Sequence, residues 1–214
     1  MADTEDIEFV VRTIAETVLK NETYFGDLDS VVGDGDFGYS LARGFEIVVD
    51  QWDSFDRADA GTFLQKVAMT ITSRIGGTSG PIWGTAFLRA AMTAKKLDTL
   101  DGPGVVAMLD AAIEGIKARG NADVGDKTLL DALVPMRDAI SVEVERGAST
   151  ITTVQAAAQA ARTAADATAP MLAKRGRASY TGERSIGSPD AGAVAVAVIA
   201  EELAARWPER PLPS

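Results

Sequence analysis

Three carboxylates fall within eight residues of Gly-rich chain in the run Leu28-Asp29-Ser30-Val31-Val32-Gly33-Asp34-Gly35-Asp36-Phe37-Gly38. Acids this close repel one another unless water or cations offset their charge, and a hard divalent ion prefers oxygen ligands. Asp29, Asp34 and Asp36 are therefore candidate metal ligands. The competing reading is a solvated acidic loop with an Asp capping the next helix. Gly33, Gly35 and Gly38 also satisfy the spacing G-x-G-x-x-G, but that dinucleotide fingerprint needs a preceding strand and a bare loop facing pyrophosphate. Two of its variable positions here are Asp, which repel phosphate unless a metal bridges them. The loop also lacks the closing Glu of a calcium-binding EF-hand.

A second candidate is Gly76-Gly77-Thr78-Ser79-Gly80-Pro81 at the start of a predicted helix. Glycines, hydroxyls and free helix N-terminal amides make an anion site, and the same residues also make an ordinary capped start with Ser79 as N-cap. Paired with an acidic metal loop, the segment gains meaning: carboxylates hold Mg²⁺, Mg²⁺ holds phosphate oxygens, and neutral donors fill the remaining lone pairs. Gly125-Asp126-Lys127-Thr128 precedes another helix, where Lys127 could reach a phosphate or Asp126 could cap. Lys174-Arg175-Gly176-Arg177-Ala178-Ser179 is a basic stretch in an acidic chain, suited to phosphates and base planes or to a helix C-terminus. Asp190, before Ala191, reads first as an N-cap.

Composition narrows the chemistry. The 214 residues contain no histidine and no cysteine, which removes imidazole bases, Ser-His-Asp triads, phosphohistidine, thiol nucleophiles and thiolate metal sites from this chain. Any catalysis must use carboxylates, hydroxyls, Lys or Arg, backbone dipoles and oxygen-loving metals. A net charge of −10 and a pI near 4.5 argue against nucleic-acid binding. Mean hydropathy of +0.05 excludes a disordered chain. The acidic N-terminus lacks the pattern of a signal peptide, and the longest apolar stretch, 191–200, is about half a membrane span; a cytoplasmic protein with no membrane partner is expected.

The elements that must position these loops read as helices. Ile7, Val10, Val11, Ile14 and Val18 follow amphipathic spacing. Similar stretches cover roughly 38–52, 59–74, 81–96, 103–119, 128–146, 150–173 and 191–206, giving eight candidate helices. No run alternates over a strand length, and the Ala-rich last third favours close helix approach. The expectation is one all-α domain over residues 1–214, with its chemistry in the Gly-rich connections.

Taken together, the segments resemble the L subunit, the nucleotide-binding domain, of the dihydroxyacetone kinase family. The resemblance runs in order through Gly33-Asp34-Gly35-Asp36-x-Gly38, Arg43-Gly44-Phe45, Gly76-Gly77-Thr78-Ser79-Gly80-Pro81 and Gly84-Thr85. It continues through Gly125-Asp126-Lys127-Thr128 with Asp131, then Gly176-Arg177-Ala178-Ser179-Tyr180 and Gly182-Glu183-Arg184-Ser185-Ile186-Gly187. It implies an eight-helix antiparallel barrel with the nucleotide site in the loops at one end. It implies that Asp29, Asp34 and Asp36 hold two Mg²⁺ ions bound to the phosphates of ADP or ATP. Phe37, Gly38, Ser40 and Gly77 would then belong to the nucleotide site, Thr78 and Ser79 would donate to phosphate, Gly120, Leu129 and Arg177 would line base and ribose, and Asp190 to Gly192 would close the pocket.

The same resemblance implies a kinase subunit working with a K-type partner, which holds the ketose through a histidine that this chain lacks. One branch of the family keeps ADP bound and rephosphorylates it from a multiphosphoryl carrier protein of the phosphotransferase system; the other exchanges ATP. Phe37, Ser40 and Ser188 stand where the family pattern commonly has histidine, asparagine and histidine, which opens the acceptor to a related ketose such as erythrulose as well as dihydroxyacetone. The alternative function is a non-catalytic nucleotide-sensing or apolar-ligand-binding helical barrel.

Overall fold

The computed structural model describes residues 4–77 and 79–210. Among the described residues, nine α-helices follow one another: α1 (Thr4–Lys20), α2 (Glu22–Ser30), α3 (Phe37–Asp50), α4 (Ala60–Arg74), α5 (Ser79–Ala94), α6 (Gly102–Gly120), α7 (Leu130–Glu145), α8 (Thr150–Asp166) and α9 (Ala191–Arg206). Short 3₁₀ segments occupy Trp52–Ser54, Arg177–Ser185 and Trp207–Glu209, and no strand occurs among the described residues.

Several helix starts carry the cap chemistry their sequences suggest. Asp59, Asp101, Ser149 and Asp190 each accept a hydrogen bond from the backbone N–H three residues on, satisfying an otherwise orphaned donor. Helix α6 ends on Asn121, whose φ of 46° is the left-handed geometry of a helix stop.

Packing closes these helices into a ring. Helix α1 lies against α3, α3 against α4, and each later helix against the next until α9 returns to α1. Eight helices thus form the barrel, and α2 sits outside the cycle, packed on α3 and α9. One half of the wall is built from large side chains, with Phe45, Phe63, Leu41 and Ile71 fully buried. The other half, α7 to α9, meets through Ala132, Ala161, Ala165, Ala193 and Ala197, whose small side chains let backbones approach closely. Inside lies an apolar cavity of about 660 Å³, bordered by Val11, Trp83, Phe87, Met108, Leu133 and Ile199. At the end where α1 begins and α9 stops, Arg210 Nε donates to Asp6 Oδ1 at 2.7 Å.

Because neighbours in the ring alternate in direction, connections fall alternately at the two ends. The 31–36, 121–129 and 167–190 connections and residues 75–77 share one end; 51–59, 95–101 and 146–149 share the other. Every Gly-rich connection singled out above is on the first of these ends. One boundary and one whole helix differ from the periodicity. The stretch expected to run to 173 stops at Asp166, because Thr168 turns its hydroxyl onto Ala165 O and accepts the N–H of Asp190, tying the chain to the start of α9. Helix α2 carries too little apolar periodicity to be seen, with Phe25 its one fully buried side chain.

Candidate functional site

The carboxylate loop begins inside α2. Asp29 is the penultimate residue of that helix, and Asp34 and Asp36 follow in the turn that leads into α3. The turn folds back because Val32 and Gly33 both donate their N–H to Asp29 O. A Cβ at Gly33 would stand 2.8 Å from Asp29 Cγ, so only glycine lets the chain pass that carboxylate. One carboxylate oxygen from each of Asp29, Asp34 and Asp36 then falls within 4.8 Å of the others. Asp36 precedes α3 but makes no side-chain cap, so its carboxylate is not spent on the helix start and the capping reading falls. Phe37 N–H approaches Asp29 Oδ2 at 3.4 Å, and the Phe37 ring packs beside Phe25 with centroids 6.2 Å apart.

Electrostatics match a cation site. Burial pushes the Asp29 carboxyl up, with Asp34 and Asp36 adding repulsion against hydrogen bonds from the Phe37 and Gly35 backbone. Desolvation would do the same to Asp34, but its hydrogen bond and charge attraction to Arg177 outweigh it and hold that carboxyl low. Arg177 reaches both outer acids: its Nη1 pairs with Asp34 and lies 3.0 Å from Asp36 Oδ2. All three side chains of this pairing remain about half exposed, at 52%, 52% and 47% for Arg177, Asp34 and Asp36. An all-oxygen donor set, converging and open to solvent, suits Mg²⁺.

The other expected residues gather around this cluster. Gly77 faces Arg177, its would-be Cβ 3.8 Å from Nη2. Ser79 is the first residue of α5 and not the N-cap the sequence suggests; Thr78 lies outside the described residues. Gly38 and Ser40 sit on the first turn of α3, where Ser40 N–H donates to Asp36 O. Leu129 precedes α7 and Gly192 opens α9, and these two meet, with the Leu129 Cβ 3.3 Å from where a Gly192 Cβ would be. Gly120, the last residue of α6, borders Ile82 and Ala122, which pack in the same apolar cluster as Leu129. Asp190 caps α9 through Ala193 N–H, and its carboxyl is pushed up to about 6, mainly by burial.

Lys127 is the expected residue that the geometry reassigns. Its side chain is 3% exposed, and its Nζ donates to the carbonyls of Met171, Ser185 and Ser188. Its three donors are spent on backbone, which leaves none for a phosphate. Asp126 does not cap α7 either; it accepts from Asp123 N–H and pairs with Arg175 Nε at 3.0 Å. Asp131 accepts the N–H groups of Gly125 and Thr128, shaping the loop. These cross-loop bonds join residues about 45 to 60 positions apart, so no local spacing announces them.

A closed ring of antiparallel helices with a cluster of three carboxylates at one loop end defines the class as an all-α helical barrel with a candidate metal site. The DAK2 domain matches residues 31–205, and the chain belongs to that family. It is 38% identical over 181 residues to the "PEP-dependent dihydroxyacetone kinase, ADP-binding subunit DhaL" of Escherichia coli, spanning 85% of this chain and 86% of that one. It is 41% identical over 192 residues to the L-erythrulose kinase of Pectobacterium atrosepticum, covering 89% of this chain but 32% of that longer protein. Among solved structures, the dihydroxyacetone kinase of C. freundii in complex with AMP-PNP and Mg²⁺ superimposes with a TM-score of 0.76 at 25% identity, over 93% of this chain and 33% of that one. The expected all-α barrel and the expected family both hold. No helix among the described residues is long and apolar enough to cross a membrane.

Proposed function

We propose that residues 1–214 act as one nucleotide-binding unit of a ketose kinase, passing phosphate from a Mg²⁺-bound nucleotide to a ketose held by a K-type partner subunit. The observation that carries this reading is the convergence of Asp29, Asp34 and Asp36 beneath Arg177, with Asp36 unspent on capping. These three acids would hold two Mg²⁺ ions, which when bound offset phosphate charge and polarise the oxygens of the transferring group. Phe37, Gly38, Ser40, Gly77, Thr78 and Ser79 would surround the phosphates, offering amides and hydroxyls as donors. Gly120 and Leu129 would border the base, Asp190 to Gly192 would close the pocket, and Arg177 would move from the acids to the nucleotide.

With neither histidine nor cysteine, the chain has no group to capture a ketose carbonyl as a partner histidine would, so the acceptor comes from the partner. A ketose related to dihydroxyacetone, erythrulose included, fits the names of the relatives, and Phe37 removes a polar side chain from the phosphate end. Titration of ADP with and without Mg²⁺ tests the reading: tight binding with the metal and weak binding without it is expected. ADP retained through gel filtration would place the chain in the carrier-driven branch, served by a multiphosphoryl carrier protein; an empty site would place it in the ATP-exchanging one. Activity should appear on adding the K-type subunit, and sugar phosphorylation by this chain alone would contradict the division of labour. The 660 Å³ apolar cavity favours a second occupancy, an apolar ligand inside the barrel, which organic extraction and mass analysis of the purified protein would reveal.

A further inference from the structure

Lys127 is buried, charged, and not part of the carboxylate cluster. It also holds a φ of 62°, a left-handed conformation that costs a side-chain-bearing residue energy and persists where surroundings enforce it. Burial pulls the ammonium's pKa down while Asp190 pushes it up. What compensates the desolvated charge is a full set of acceptors: Met171 O at 3.1 Å, Ser188 O at 2.8 Å, and Ser185 O. These carbonyls bracket the long connection between α8 and α9. The preceding residue grips the same connection from its other side, as Asp126 O accepts Lys174 N–H and its carboxylate pairs with Arg175. Between those two grips runs the 3₁₀ segment Arg177–Ser185, whose first residue lies on Asp34 and Asp36.

We propose that Lys127 is a positioning residue: its ammonium pins the 171–188 connection at three carbonyls, and this pin sets where Arg177 meets the acids and the bound nucleotide. A connection this rich in Gly and Ser has no apolar core of its own to fix its path. Two anchors at one loop, residues 126 and 127, set its direction at both ends. The inference rests on the nucleotide reading for its consequence, but the pin itself can be tested without nucleotide.

The test uses Lys127→Met and Lys127→Asn, the second because Asn tolerates left-handed backbone and keeps the loop foldable. Each is combined with Arg177→Ala, and Mg·ADP affinity is measured by calorimetry in all four corners of the cycle. If Lys127 acts through Arg177, its loss lowers affinity about tenfold in the wild-type background, the scale of hydrogen bonds to a charged group. In the Arg177→Ala background the same change should have little further effect. Equal losses in both backgrounds, or unchanged affinity in the first, would overturn the proposal. Trypsin supplies the nucleotide-free readout: both variants should be cut after Lys174, Arg175 or Arg177 faster than wild type while the helices stay intact. Identical cutting would also overturn it. Should wild type itself fail to bind Mg·ADP, the nucleotide reading falls, and the cleavage rates still decide whether Lys127 holds the connection.

Discussion

Asp36 and Asp34 share one guanidinium in this chain, and that arrangement separates their structural from their binding roles. An exposed ion pair contributes at most about 1 kcal/mol, so Asp36→Asn should move the ligand-free melting temperature by no more than roughly 2–4 °C in a domain of this size. The same change removes a negative ligand from ions that must offset phosphate charge, so the extra stability conferred by Mg·ADP should vanish. Melting scans with and without Mg·ADP check both halves; a variant still stabilised as strongly as wild type would end the metal assignment. Asp190 makes a pH prediction. Its folded carboxyl, at about 6, holds the proton more tightly than an unfolded Asp at 3.8. Stability linked to it is therefore complete below about pH 4 and is lost as pH rises through about 6, an effect of up to about 3 kcal/mol. Asn caps a helix as well as Asp, so Asp190→Asn keeps the start of α9 and abolishes the titration. Urea unfolding from pH 4 to 7 should show the stability of wild type falling relative to the variant across that window.

At the scale of elements, the junction of α2 and α3 sets the metal loop. A Cβ on Gly38 would press on Glu22 O and stand 2.6 Å from Gly26 N, backbone atoms that cannot swing aside. Gly38→Ala should force the two helices apart, lower stability by about 1–3 kcal/mol, and weaken Mg²⁺ binding more than a surface Ala would. Denaturant melts and metal titration together test this. The same junction shows what a sequence does and does not reveal. The ring helices were most legible where they bury apolar residues at helical spacing, as α1 does with Ile7, Val11 and Val18. Helix α2 was not, since a nine-residue segment with one buried side chain leaves no stripe, and its helicity comes from lying on α3 and α9. The acids were legible because they are neighbours in the chain. The duties of Asp126 and Lys127 were not, because their partners lie across a fold that local pattern does not encode.

For the molecule as a whole, the division between ends matters most. One end gathers the Gly-rich connections singled out above, the acids and Arg177; the other carries the 51–59, 95–101 and 146–149 connections, the start of α1, the end of α9, and the contact between Arg210 and Asp6. A closed cycle of helices has no intrinsic first member, and here Asp6 near the start of α1 and Arg210 just after α9 lie in contact, away from the chemistry. The order in which the ribosome makes the staves is therefore separable from the barrel they form. A circular permutant that joins residues 210 and 4 through a short flexible linker and opens between Arg146 and Ser149 should fold to the same ring and bind Mg·ADP with the affinity of the parent. Reopening instead between Gly176 and Gly182, in the segment that carries Arg177, should leave the helices intact and the binding lost.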